Sequence, residues 1–161
     1  MPDRAIVNAS PLIFLGNAGY LHFLRFAAGE VLVPGTVANE IRKGRELEPA
    51  VKAIESSEWL RVVETPIVPP LVQAWDLGPG ESAVLAYAYA HTGTVAVLDD
   101  LAGRRCAEAL GIPVTGTLGL VLGARKRGMI PAARPVLEEL RDNGMYLSSA
   151  VLERALALVG E

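Results

Sequence analysis

The feature that most constrains this chain is an alternation. Five short apolar runs, AIVN at 5–8, VLVP at 31–34, LRVVE at 60–64, TVAVLD at 94–99 and IPVTG at 112–116, are separated by stretches with helical periodicity or helical punctuation. A strand that hands over to a helix cannot turn back as a hairpin. It pairs with another strand in parallel, through a right-handed crossover. Apolar residues make up 51% of the chain and aromatic ones only 6%, so the core must be assembled from Val, Leu, Ile and Ala, as in sheets buried on both faces. The predicted class is α/β, with a central, mostly parallel sheet of four to five strands and helices around it.

The helices can be placed from their own signals. Ser10 followed by Pro11 predicts an N-cap and a first helical residue, opening a helix in ASPLIFL. A second amphipathic stretch carries Tyr20, Leu21, Leu24 and Phe26. Another helix runs through Val37 and Ile41 to Lys43, and a further one covers 47–57. TPIVPP leads to a short helical turn around Val72 and Trp75, and GPGESAVLAYAYAH starts a helix just after Gly80. Helices at 101–110, 117–127, 132–142 and 149–159 complete the pattern. With no repeat, no low-complexity segment and no long linker, residues 1–161 are expected to form one domain.

A net charge of -3 and a pI near 5.5 exclude a global basic field, so a nucleic-acid partner would be held by a local patch. The densest basic run, ARKRG at 124–128, either supplies phosphate contacts or complements the C-terminus of its own helix. The one cysteine, Cys106, permits no internal disulfide and sits in an apolar helix, which fits a reducing compartment. No leader pattern and no apolar run of the ~20 residues a membrane span requires is visible. The expected location is the cytoplasm.

Open α/β sheets gather ligands at the carboxyl ends of their strands. There the sequence sets Asn8 and Ser10 after the first strand, Asp99 and Asp100 after the fourth, and Thr115 and Thr117 after the fifth. Two glutamates join them. Glu40 stands at the edge of the Val37–Ile41 stripe, and Glu81 lies in the first turn of its helix, on the face of Leu85 and Ala88. Each residue also has a plain structural account: Glu81 complements a helix dipole, Glu40 is a solvated flank residue, and Asp100 is a favoured N-cap. Neighbours in a strand point to opposite faces, so Asp99 and Asp100 converge only if the strand stops at Leu98. Four carboxylates and an amide gathered at one edge repel one another and call for a neutralising cation. Oxygen donors without His or Cys select a hard ion, Mg²⁺ or Mn²⁺.

In order along the chain, VNASPLIFLGN, VPGTVANEI, LGPGESAVLAYA and VLDDLAGRRCAEALGIPVTGTLGLVLGARKRGMI resemble the PIN-domain superfamily, nearest to its poorly characterised prokaryotic branch related to VapC-type toxins. The resemblance runs from about residue 4 to about residue 130, and its last segment is the most specific. It implies a three-layer α/β/α sandwich and a metal-dependent endoribonuclease. The site it implies is held here by Asn8, Glu40, Glu81 and the Asp99–Asp100 pair, with one or two Mg²⁺ or Mn²⁺ ions serving hydrolysis of an RNA phosphodiester. Ser10 matches a small hydroxyl two positions after the first acid; Ser10 or Thr117 would position a water or a phosphate oxygen, and Arg105 would contact substrate phosphate. Arg104, four residues from both Asp100 and Glu108, reads as a partner in helix-surface ion pairs. The resemblance further implies a homodimer and, for a toxin, an antitoxin protein as partner. The apolar C-terminal helix, with Val151, Leu152, Ala155, Leu156 and Val159, serves either the core or an interface.

The chain departs from the family at its first site position, where Asn8 stands in place of the usual aspartate. Asparagine offers a carbonyl oxygen but neither a charge nor a base. Two functions therefore compete: an active ribonuclease, and a PIN-like module that binds RNA or protein without cutting. A third reading fares badly: a haloacid-dehalogenase-like phosphatase needs a DxD motif where this chain has NAS at 8–10, and a phospho-accepting receiver needs a lysine at a strand end where the fifth strand ends in PVTG.

Overall fold

The computed structural model describes residues 2–44 and 49–161. Among these, five strands form one sheet: β1 (Arg4–Val7), β2 (Glu30–Pro34), β3 (Leu60–Val63), β4 (Val95–Val97) and β5 (Val114–Thr115). Every pairing is parallel, in the order β3-β2-β1-β4-β5. The strands carry no apolar–polar alternation at the centre because both faces are covered: Ala5, Ile6, Val7, Ala96 and Val97 are fully buried.

The chain builds outward from β1 to β2 to β3, then returns to the other side of β1 to lay down β4 and β5. Right-handed crossovers in opposite directions place their helices on opposite faces. The outward leg carries α1 (Ala9–Ala18), a 3₁₀ segment (Leu21–Phe26), α2 (Gly35–Gly44) and α3 (Pro49–Ser56). The return leg carries α4 (Pro70–Gln73), α5 (Pro79–Ala90) and α6 (Leu101–Ala109). After β5, α7 (Thr117–Lys126) and α8 (Arg134–Asp142) pack with α1, and α9 (Ser149–Ala157) ends the fold. The result is the three-layer α/β/α architecture, with the order of strands reversing between β1 and β4. That reversal opens a crevice at the carboxyl edge, where such sheets take ligands.

Several boundaries differ from the sequence pattern. Asn8, not Ser10, is the N-cap of α1, and its side chain makes no capping bond; that side chain is engaged elsewhere, as shown below. Helix α5 begins at Pro79, with Gly78 as N-cap, because proline's missing N–H costs nothing in a first turn. The helix expected over 47–57 is seen as α3 from Pro49, residues 47 and 48 lying outside the described residues.

The ARKRG run does local work. Arg127 Nε donates to the Gly123 carbonyl at 3.2 Å, and Arg125 pairs with Glu161 at 3.4 Å. Since α7 starts at the carboxyl edge, its 10 residues carry this run about 15 Å back toward the opposite edge. Cys106 is wholly buried, and burial pushes its thiol pKa up, so it packs as a protonated apolar residue. In α9, Leu152, Ala155 and Leu156 are core, while Leu158 beyond its end is exposed.

Candidate functional site

The β1–β4 ladder continues one residue past β1, the Asn8 N–H donating to the Val97 carbonyl at 3.0 Å. This fixes the Asn8 side chain in the crevice, 3% exposed. Its Nδ2 donates to Glu81 Oε1 at 3.1 Å across the sheet edge. Its Oδ1 is buried and has no hydrogen-bond partner among the described residues. An unpaired buried acceptor costs on the order of 1–3 kcal/mol, so this oxygen marks a place where a positive partner is wanted.

Gly80 explains how the helices come so close. A Cβ there would stand 2.8 Å from the buried Asn8 Oδ1 and 3.1 Å from Glu40 Oε2, so glycine lets α5 lie over both oxygens without displacing either. Sequence inspection missed this residue, although a glycine in the first helical turn, one position before a helical acid, was a usable signal. Gly103, in α6, marks how near the next acids lie: a Cβ there would be at ordinary contact distance from Asp100 Oδ2, 3.6 Å, and Glu81 Cγ, 3.7 Å, its one tight approach being to Leu98 Cδ1 at 2.8 Å. The structure thus brings Glu40, Asn8, Glu81 and Asp100 into a continuous row. Glu40 and Asp100 are exposed, Glu81 half-buried and Asn8 buried. Asp100 is also the N-cap of α6, its Oδ2 accepting from the Gly103 N–H at 2.9 Å.

Asp99 is directed differently. Its Oδ1 accepts from the Thr117 N–H at 2.7 Å and its Oδ2 from Thr117 Oγ1 at 2.8 Å. Thr117 is fully buried and opens α7, so Asp99 caps that helix from a distance of 18 residues. Arg104 comes to the same place: its Nη1 and Asp99 Oδ1 lie 2.6 and 2.8 Å from where a Gly116 Cβ would be. Its guanidinium therefore reaches across to β5, beyond the helix-surface pairing its spacing suggested. Ser10 is half-buried in the first turn of α1, and Arg105 is exposed on α6. Neither shares a hydrogen bond with the row among the described residues.

Among the described residues, no three acidic, His or Cys side chains already stand as a metal-holding group. The donor chemistry nevertheless suits a hard cation. The Asn8 amide lies between two carboxylates, its Nδ2 on Glu81 and its Oδ1 on the side of Glu40, with Asp100 beyond Glu81.

Beside Glu40 a cavity of about 340 Å³ opens between α2 and the start of α5, lined by Thr36, Asn39, Glu40, Lys43 and Pro79. No helix of the described residues is long and apolar enough to cross a membrane. In comparison with known families, the model of the PIN domain (DUF3368) matches residues 4–161. No curated protein matches the chain.

Proposed function

Because this chain belongs to the PIN-domain family, whose fold is of nuclease type, we propose that it is a divalent-metal-dependent endoribonuclease, acting as the toxin of a VapC-like toxin–antitoxin pair. The observation that carries the proposal is the orphaned Asn8 Oδ1, held at the switch-point crevice in a row with Glu40, Glu81 and Asp100. PIN domains generally use divalent metals, and Mg²⁺ or Mn²⁺ is the ion this oxygen set would select.

Asn8 Oδ1, Glu40, Glu81 and Asp100 would hold the ion. Once bound, it would supply an activated water and offset charge on the reacting phosphate. Asn8 Nδ2 orients Glu81 by its hydrogen bond, so the amide positions an acid even though it supplies no charge. Asp100 gives one oxygen to the α6 cap and keeps the other available. Asp99 contributes by fixing the end of β4 to the start of α7 through Thr117. Arg105, exposed on α6, would meet a phosphate, and Ser10 would order a water near the end of β1. An antitoxin protein and a second copy of the chain are the partners this role requires, and the cytoplasm its location.

The competing reading, a PIN-like module that binds RNA without cutting, is favoured by the same Asn8, since an amide neutralises none of the charge of a bound ion. Cleavage of a mixed single-stranded RNA with Mn²⁺, Mg²⁺ or EDTA decides between them. The ribonuclease reading expects metal-dependent cutting by the native chain, reduced at least ~100-fold in Asp100→Asn. Cutting by Asn8→Asp alone would transfer the case to the binding module. Silence from all three would refute the nuclease.

A further inference from the structure

We infer that the cavity between α2 and the start of α5 is a binding subsite for one nucleotide of single-stranded RNA, with Lys43 as its phosphate contact and Thr36 and Asn39 as its polar wall. The inference rests on the ribonuclease reading above and names the side from which its substrate arrives.

Three observations lead here. Thr36, Asn39, Glu40 and Lys43 are spaced i, i+3, i+4 and i+7, so they form a single stripe on α2. All four are exposed, and the stripe borders a cavity of about 340 Å³. That volume is near the lower end of the ~300–1,000 Å³ typical of small-ligand sites, the scale of one nucleotide and too small for a duplex. Second, the cavity shares a wall with the row of oxygens. Glu40 belongs to both, and Glu40 Oε2 lies against Gly80 next to the buried, unpartnered Asn8 Oδ1. A nucleotide in the cavity therefore has its backbone beside the acidic row. Third, the charge falls in the right order. Lys43 lies one turn beyond Glu40 and lines the same cavity, so a phosphate there can be met by a cation beside the carboxylate. The ARKRG run is carried toward the opposite edge of the sheet and is partly engaged, Arg125 with Glu161 and Arg127 with Gly123.

The chemistry of the wall fits a nucleotide. Lys43 offers a compact ammonium to a phosphate, Asn39 a donor and an acceptor to a base edge, and Thr36 a hydroxyl to either. Pro79 supplies an apolar surface on the α5 side.

The test is fluorescence anisotropy of a short labelled single-stranded RNA with the full chain in EDTA, repeated over a range of salt. Lys43→Gln is expected to weaken binding about tenfold, and Asn39→Ala by a smaller factor. Loss of one phosphate contact should also make the plot of log affinity against log salt shallower by about 0.7. Lys43→Arg should restore both, and Lys126→Gln should change neither. A purely structural role for Lys43 would not alter the salt slope. An unchanged slope and affinity in Lys43→Gln, or no RNA binding by the native chain, would overturn the subsite. Cleavage by the native chain in Mn²⁺ is scored separately. Cutting without a Lys43 effect removes the subsite and keeps the nuclease, whereas a Lys43-dependent affinity without cutting removes the nuclease and keeps the subsite.

Discussion

Two notches lie side by side at the carboxyl edge of the sheet, one between β1 and β4 and the other between β4 and β5, and adjacent aspartates face them. Asp99, at the β4–β5 notch, has both oxygens taken by Thr117. Asp100 lies by the β1–β4 notch near Glu81, exposed, with one oxygen in a cap. At the β4–β5 notch two donors meet the two carboxylate oxygens, and the partner threonine is fully buried. The β1–β4 notch is left open, with an acceptor unsatisfied and two exposed carboxylates at its rim. Satisfied polar groups hold a fold together, whereas unsatisfied ones are where a ligand can gain the most.

Substitution of the two aspartates is the strongest way to break this contrast. Asp99→Ala removes two charge-assisted hydrogen bonds and strands the buried Thr117 hydroxyl, an expected loss of about 3 kcal/mol in urea unfolding. Asp100→Ala removes one exposed N-cap and should cost about 1 kcal/mol. Equal losses from the two variants would refute the division of labour.

Asn8→Asp sharpens the contrast at the open notch. It replaces a donor to Glu81 with a second carboxylate in a buried position, so the variant should melt at least about 4 °C below the native chain in EDTA. Mn²⁺ should raise its Tm more than it raises that of the native chain, because an ion that binds only the folded state stabilises it. A variant that melts higher than the native chain without metal would count against Asn8 as an orienting donor.

A smaller effect is expected far from both notches. Glu161 accepts from the Ala133 N–H at 2.7 Å and the Arg134 N–H at 3.1 Å and pairs with Arg125. The Ala133 bond first, with Arg134 and Arg125 helping, holds its carboxyl below the usual range against the opposing effect of desolvation. A depressed folded value means the stabilisation is present above the unfolded value, near ~4.3, and is lost as pH falls through the folded one. Glu161→Gln should therefore lower Tm slightly at neutral pH and converge with the native chain in acid. A difference that persists or grows in acid would contradict this.

The alternation of apolar runs and helices was enough to predict a parallel α/β sheet, because a strand–helix–strand connection leaves little choice of pairing or hand. Expected and observed strands agree to within a residue or two. Element ends were less legible: Ser10 has the right type for an N-cap, but the ladder extends to Asn8 and the helix starts at Ala9. The acidic positions could be named from their places at strand ends and helix starts. Their separation into two notches could not, since Asp99 and Asp100 are neighbours of the same type, and only the position of Thr117, 18 residues on, distinguishes them.

By itself, the sequence determined the fold class, the family resemblance and the inventory of candidate oxygen donors, because periodicity, turn chemistry and residue type act locally along the chain. The tertiary structure alone decided which oxygens are satisfied, which glycine admits α5 to the crevice, and that a polar stripe on α2 borders a cavity beside Glu40. Those outcomes depend on distances between elements far apart in the chain, and such distances are fixed only when the crossovers close around a shared core.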